Sequence, residues 1–144
     1  MPPIKIITLI DDDQVYVFLT KKMIEKTNLV KEVRVYENGL DAINFIKENM
    51  GNLDELPEII LLDLSMPIMD GWQFLKEFVK INPCIGKKIT IYIHSSSTSL
   101  ADIKRAKEIE EVSDYIVKPV SKSSLIELIK NFINPDDPLK LSKE

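Results

Sequence analysis

Residues 58–63 read Glu-Ile-Ile-Leu-Leu-Asp, a short apolar run that stops abruptly at an acidic residue. Four consecutive aliphatic residues without polar alternation are typical of a strand that is buried on both faces, as strands of a parallel sheet are. A polar loop precedes the run, and a helical pattern that begins near Asp70 follows it. This stretch therefore predicts one strand followed by one helix.

The same alternation continues in both directions along the chain. Val15, Phe18, Leu19 and Met23 recur at helical spacing after the first apolar run. Because strands that alternate with helices over short connections favour right-handed crossovers, helices should cover both faces of a parallel sheet. The predicted fold class is α/β, a (βα)5 doubly wound parallel five-stranded sheet. Strands are predicted at residues 5–11, 33–36, 58–63, 89–93 and 115–117, and helices begin near residues 13, 39, 70, 100 and 121.

Length and composition indicate one domain. The 144 residues are 44% hydrophobic and 29% charged, which suits a single folded core. We place the domain at residues 1–134 and expect residues 135–144 to form a loose polar tail. Since no apolar run has the length of a membrane span and the start lacks a signal-peptide pattern, we expect a cytoplasmic protein.

Charge and cysteine content exclude further classes of function. The net charge of −4 gives no basic face for nucleic acid. Cys84 is the only cysteine, which excludes an intramolecular disulfide and a cysteine metal cluster. Only four glycines occur, and neither a P-loop nor a G-x-G-x-x-G turn is present, which argues against a nucleotide-binding enzyme.

Reactive side chains follow the ends of the predicted strands. In a doubly wound sheet, ligands bind beyond the carboxyl ends of the strands, so these side chains should share one edge. They are Asp11, Asp12 and Asp13 after the first strand, Asp63 after the third, His94 and Ser95 after the fourth, and Lys118 after the fifth.

This edge predicts a phosphoryl site that depends on a divalent metal. If the first and third strands are neighbours, Asp11, Asp12 and Asp63 crowd negative charge that a cation would compensate. The all-oxygen ligands favour Mg²⁺ or Mn²⁺ over zinc. A carboxylate can form an acyl phosphate, and the Lys118 ammonium and the Ser95 hydroxyl suit the phosphoryl oxygens.

Several of the same residues have simpler structural roles. Asp13 and Asp70 are expected mainly to cap helices, and Trp72 with Phe74 is expected to pack in the core. His94 is interpreted as a packed strand-end residue, with a local pH effect left open.

Together these residues resemble the receiver domains of two-component response regulators, in particular single-domain receivers of the chemotaxis-regulator kind. The resemblance runs from Ile4 to about Ile133 and implies a flavodoxin-like strand order of 2-1-3-4-5. Its motifs are Ile10-Asp11-Asp12-Asp13, the segment Leu-Leu-Asp-Leu-Ser-Met-Pro-Ile-Met-Asp-Gly at residues 61–71, Ser95-Ser96-Ser97, and Asp-Tyr-Ile-Val-Lys-Pro at residues 114–119.

The resemblance assigns a role to each site residue. It implies that Asp63 is phosphorylated and that Asp11, Asp12, Asp63 and the backbone carbonyl of Ser65 hold Mg²⁺ or Mn²⁺. Lys118 would pair with the phosphoryl oxygens and precede a cis peptide bond to Pro119. Ser95 would be the switch hydroxyl, and Tyr115 the aromatic switch that moves inward when Ser95 is drawn to the phosphate.

The resemblance also implies protein partners. A sensor histidine kinase or a histidine phosphotransfer protein would supply the phosphoryl group, and a target protein would read the face of the fourth helix, fifth strand and fifth helix. Because no output domain follows the predicted receiver, we expect a stand-alone signalling protein and not an enzyme, apart from intrinsic autophosphatase activity. Formation of a homodimer stays open.

Two alternatives remain at this point. One is an adaptor with the same fold that signals without phosphorylation. The other is a haloacid-dehalogenase-type phosphatase, whose Asp-x-Asp opening Asp11-Asp12-Asp13 loosely satisfies. The order of residues argues against the phosphatase, since Asp63 precedes Ser95 and no acid closely follows Lys118-Pro119.

Overall fold

The computed structural model describes residues 2–135, and within them strands and helices alternate from end to end. The strands are β1 (Ile4–Ile10), β2 (Val30–Tyr36), β3 (Ile59–Leu62), β4 (Thr90–Ser95) and β5 (Val112–Val117). The helices are α1 (Gln14–Lys26), α2 (Gly39–Glu48), α3 (Gly71–Ile81), α4 (Leu100–Lys107) and α5 (Lys122–Ile133). The predicted tail at residues 135–144 lies outside the described residues, apart from Pro135.

The strands form one parallel sheet in the order β2-β1-β3-β4-β5, as predicted. At its centre, β3 is buried on both faces. Ile59 and Leu61 pack into one core, and Ile60 and Leu62 pack into the other. This two-sided burial explains why the run at residues 59–62 has no polar alternation.

Helices cover both faces of the sheet. Helices α1 and α5 pack on the face that carries Ile59 and Leu61, whereas α2, α3 and α4 contribute to the core on the other face. Phe74 and Phe78 of α3 are fully buried there and stack at 6.0 Å between ring centroids. The prediction that Phe74 packs in the core is confirmed.

Of the four residues whose spacing indicated α1, Met23 is partly buried against the core, and the other three are exposed. Val15, Phe18 and Leu19 are 55 to 71% exposed, and Val17, Thr20 and Ile24 are buried in their place. The helix carries apolar residues on more than one side, so its periodicity predicts the helix but not the side that faces the sheet.

Strands β2 and β5 each begin three residues before their predicted start. Val30 pairs with Ile4, and Val112 pairs with Ile91, so neighbouring strands extend both elements. The polar residues in these segments, such as Lys31 and Asp114, hide the strand pattern in the sequence.

Two predicted helix caps are confirmed. The Asp13 side chain accepts a hydrogen bond from the backbone of Tyr16, and Asp70 forms a capping box with Gln73. Between residues 2 and 135, no helix combines the length and the apolar character that crossing a bilayer requires.

Candidate functional site

The central acids meet at the carboxyl edge of the sheet because β1 and β3 are neighbours. Ile10 pairs with Leu62, and the residues after them, Asp11 and Asp63, therefore lie side by side. The backbone N–H of Asp63 donates to the carbonyl of Ile10 at 2.9 Å, which fixes this register. Carboxylate oxygens of Asp11, Asp12 and Asp63 all lie within 4.8 Å of one another.

Burial and a neighbouring charge change the acidity of Asp63. The pKa of Asp63 is raised to about 6, first by burial and then by the charge of Asp11. Lys118 and backbone hydrogen bonds from Ser65 and Leu64 act in the opposite direction. Three oxygen-donor groups that repel one another fit a hard divalent cation such as Mg²⁺ or Mn²⁺.

Lys118 brings a positive charge to the two buried acids. Its ammonium lies 2.7 Å from Asp11 Oδ2 and 3.6 Å from Asp63 Oδ1, and its side chain is only 13% exposed. Its backbone N–H donates to the Ser95 carbonyl at 2.8 Å, which ties the end of β5 to the end of β4. The Lys118–Pro119 peptide bond is cis, as the resemblance implied.

Ser65 and Ser95 border one cleft beside the acids. This cleft has a volume of about 360 Å³ and is also lined by Met66, Trp72 and Ser97. Ser95 is buried and its hydroxyl oxygen accepts a hydrogen bond from the backbone N–H of Ser97 at 3.1 Å. A larger groove of about 790 Å³ lies at the amino ends of β4 and β5, away from the acidic cluster.

Tyr115 contacts the loop that follows Ser95. Its hydroxyl donates to the carbonyl of Ser97 at 2.9 Å, while its ring is partly buried against the core that holds α3. The Ser97 hydroxyl in turn donates to Asp102 of α4 at 2.8 Å. Tyr115, the β4–α4 loop and the start of α4 are thus linked by hydrogen bonds.

Gly71 permits the close approach of α3 to Asp63 and Leu64 at the end of β3. A Cβ atom at this position would lie 2.4 Å from the backbone carbonyl oxygen of Asp63 and 2.8 Å from Cα of Leu64. Both neighbours are backbone atoms and cannot rotate away. The Asp-Gly pair at residues 70–71 therefore serves both the helix cap and this contact.

One residue of the site, Tyr16, was missed by sequence reasoning. The ammonium of Lys118 lies 4.5 Å from the centroid of the Tyr16 ring, and the Tyr16 hydroxyl is 2.9 Å from Nδ1 of His94. His94 itself is 1% exposed, in agreement with its interpretation as a packed residue. An aromatic residue in the first turn of an amphipathic helix carries no sequence signal for such a contact.

Comparison with known proteins identifies a family to which most of the chain is similar. A family model described as the response regulator receiver domain matches residues 7–130. The probable methanogenesis regulatory protein FilR2 of Methanothrix harundinacea is 27% identical over 130 residues, which span 88% of this chain and 82% of that protein.

Solved structures of response regulators share the fold of this chain. A two-component response regulator from Cytophaga hutchinsonii superposes with a TM-score of 0.81 at 30% identity, over 91% of this chain and 98% of that one. The phosphorylated cyanobacterial phytochrome response regulator RcpA superposes with a TM-score of 0.72 at 26% identity, over 90% and 91% of the two chains.

Proposed function

Because the chain belongs to the response regulator receiver domain family, we propose that it accepts a phosphoryl group on Asp63 in a reaction that requires Mg²⁺ or Mn²⁺. The observation that carries the proposal is the joint position of the three acids and Lys118 at one edge of the sheet. Asp63 and Asp11 are buried, while Asp12 is exposed, so the cluster is open on one side.

The proposed transfer begins from ionised Asp63. A carboxylate oxygen attacks the phosphorus of the donor's phosphohistidine, an O–P bond forms, and the N–P bond breaks as the donor imidazole leaves with the electron pair. Since the pKa of Asp63 is about 6, the nucleophilic form predominates at neutral pH.

The surrounding residues would stabilise charge on the transferred group. Asp11, Asp12, Asp63 and the carbonyl of Ser65 would hold the metal ion, which when bound neutralises charge on the phosphoryl oxygens. The Lys118 ammonium, 3.6 Å from Asp63, is placed to pair with the same oxygens.

Ser95 and Tyr115 would convert phosphorylation into a change of shape. Donation from the Ser95 hydroxyl to a phosphoryl oxygen would draw this side chain toward Asp63 and away from the backbone N–H of Ser97, from which its oxygen now accepts a hydrogen bond. Because Tyr115 is hydrogen-bonded to the carbonyl of that same residue, movement of this loop would alter the position of its ring.

We further propose that residues 1–134 act as a receiver between two kinds of protein partner. A histidine kinase or a histidine phosphotransfer protein would donate the phosphoryl group, and a target would bind the face of α4, β5 and α5. Leu100 of α4 and Val117 of β5 are 83% and 40% exposed, so this face offers apolar contacts.

Intact mass spectrometry after incubation with acetyl phosphate and Mg²⁺ tests the proposal. We expect one phosphoryl adduct on the wild type, none on Asp63→Asn, and none on the wild type with excess chelator. Asp54→Asn is the matched control, since this acid is 89% exposed and remote from the cluster, and it should be phosphorylated normally. A folded wild type that takes no adduct would favour the phosphorylation-independent adaptor.

A further inference from the structure

The ammonium of Lys118 contacts an aromatic ring as well as two carboxylates. It lies 4.5 Å from the centroid of the Tyr16 ring, inside the range in which a cation is attracted to an aromatic face. Tyr16 belongs to the first turn of α1, and its backbone N–H is held by the Asp13 cap at 3.0 Å. Helix α1 and the segment that follows β5, which are distant in sequence, thus meet at this contact.

His94 restrains the ring that Lys118 contacts. Its Nδ1 atom lies 2.9 Å from the Tyr16 hydroxyl, and the two rings meet edge to face, with centroids 6.3 Å apart at 77°. Because the His94 side chain is almost completely buried at the end of β4, it is a fixed partner. Tyr16 is therefore held at two points, its backbone N–H and its side-chain hydroxyl.

Both aromatic residues are neutral at physiological pH. Burial, followed by the charge of Lys118, lowers the pKa of His94 to about 4, and burial raises the pKa of Tyr16 to about 12. A neutral imidazole does not repel the nearby ammonium. The pair can therefore support the lysine without adding a competing charge.

We propose that Tyr16 is a positioning residue for Lys118, and that His94 acts through Tyr16 by fixing its ring. This inference rests on the proposed function, in which Lys118 pairs with phosphoryl oxygens on Asp63. The ammonium is now nearer Asp11, at 2.7 Å, than Asp63, at 3.6 Å. The ring supplies a third attraction that limits how far the ammonium can withdraw from Asp63.

Four variants separate the parts of this arrangement. Tyr16→Leu removes the ring, whereas Tyr16→Phe keeps the ring and loses only the hydroxyl. His94→Asn retains a hydrogen-bonding group close to the position of Nδ1. Phe18→Leu is the matched control, because Phe18 on the same helix carries a cation–π contact to Lys22 at 5.6 Å that is remote from the acids.

The position of Lys118 can be measured without any phosphodonor. An ammonium over a ring places the neighbouring ε-methylene protons in the ring current, so their NMR signal should be shifted upfield in the wild type. We expect that shift to persist in Tyr16→Phe and Phe18→Leu and to disappear in Tyr16→Leu. A Lys118 signal that is unchanged in folded Tyr16→Leu would overturn the inference.

Phosphorylation kinetics then test the consequence. With acetyl phosphate and saturating Mg²⁺, we expect the initial rate of Tyr16→Leu to fall roughly three- to tenfold, the range that one cation–π contact supports. His94→Asn, which keeps a partner for the Tyr16 hydroxyl, should stay near the wild-type rate. Tyr16→Phe, which keeps the ring but loses its contact with His94, should have a rate between those of the wild type and Tyr16→Leu, and a wild-type rate in Tyr16→Phe would overturn the part assigned to His94. The half-saturating Mg²⁺ concentration should not change in any variant.

The outcomes distinguish this inference from the proposed function. If Tyr16→Leu is phosphorylated as fast as the wild type, the positioning role of Tyr16 is overturned, but Asp63 remains the acceptor. A wild type that takes no phosphoryl group would overturn the proposed function itself, and the role of Tyr16 in the transfer with it. A lower rate that comes only from weaker Mg²⁺ binding would also contradict the positioning role.

Discussion

Asp63 is a residue whose charge opposes folding at neutral pH. Its pKa in the folded chain is raised to about 6 from the ordinary 3.8. A raised carboxyl pKa contributes stability that is fully present below the unfolded value and is lost as the pH rises through the folded value. Above pH 6, the ionised and buried carboxylate is therefore a cost to the metal-free protein.

We expect Asp63→Asn to stabilise the metal-free chain at pH 7.5. Removal of the charge should raise Tm on the order of 5 °C, and the gain should shrink as the pH falls toward 4, where native Asp63 is protonated. Thermal unfolding in the presence of a chelator measures both effects. The exposed Asp54→Asn control should not change Tm, and an equal gain for Asp63→Asn at both pH values would contradict the explanation.

Ile68 is a second residue that destabilises the fold, in this case through local backbone strain. It has φ of 69° in the loop between β3 and α3, and its side chain is 74% exposed. A β-branched side chain is strained in the left-handed region, and exposure means that little packing offsets the strain.

Substitution of glycine should relieve this strain. We expect Ile68→Gly to raise the free energy of unfolding by about 0.5–1 kcal/mol, because the relieved strain exceeds the added entropy of the unfolded chain. Urea denaturation measures the change. Leu53→Gly provides the comparison in a position with ordinary φ, where glycine should destabilise the protein, and a loss of stability in both variants would argue against strain at Ile68.

At the scale of single elements, α1 separates the size of a side chain from its burial. Ile24 is fully buried against the sheet, whereas Phe18 is 60% exposed although it is the larger side chain. The energetic cost of truncation follows burial and not size.

We expect Ile24→Ala to lower the free energy of unfolding by about 2–5 kcal/mol and Phe18→Ala by less than about 1 kcal/mol. Both alanines favour helix, so propensity does not separate the two variants. Chemical denaturation of the pair at one pH gives the comparison. Similar losses at both positions would mean that the helix packs with a different face toward the sheet.

The sequence determines the elements better than it determines their contacts. The burial of β3 on both faces was predictable, since its apolar residues are contiguous and end at Asp63. The starts of β2 and β5 were not, because hydrogen bonds from neighbouring strands extend them through polar residues such as Lys31 and Asp114.

The same distinction holds for the candidate site. The acids and Lys118 were predictable because each follows a strand, and parallel strands bring their carboxyl ends to one edge. The contact between Tyr16 and Lys118 was not, because it depends on which face of α1 turns toward the sheet. That orientation is set by packing between distant segments, to which local periodicity is insensitive.

For the molecule as a whole, the repulsion within the acidic cluster links stability to metal binding. Asp11 and Asp63 lie at the ends of adjacent central strands, so their charges act on the part of the fold that both cores share. A cation that binds only the folded chain stabilises it by an amount that grows with its concentration.

We therefore expect Mg²⁺ to raise Tm of the wild type, with about 2.7 kcal/mol of added stability at a concentration one hundred times its dissociation constant. The same ionic strength of NaCl should have a much smaller effect. In Asp63→Asn the response to Mg²⁺ should be weaker, because the variant has lost both a ligand and the repulsion that the ion relieves.

Differential scanning fluorimetry across a Mg²⁺ titration measures this coupling, and its pH dependence gives the stricter test. Because protons and Mg²⁺ compete for the Asp63 carboxylate, the shift in Tm should decrease as the pH falls from 7.5 to 5, through the raised pKa of about 6. A shift that does not depend on pH, or that is equal in Asp63→Asn, would place the ion elsewhere on the surface. The charge that destabilises the metal-free fold would then not be the charge that binds the metal.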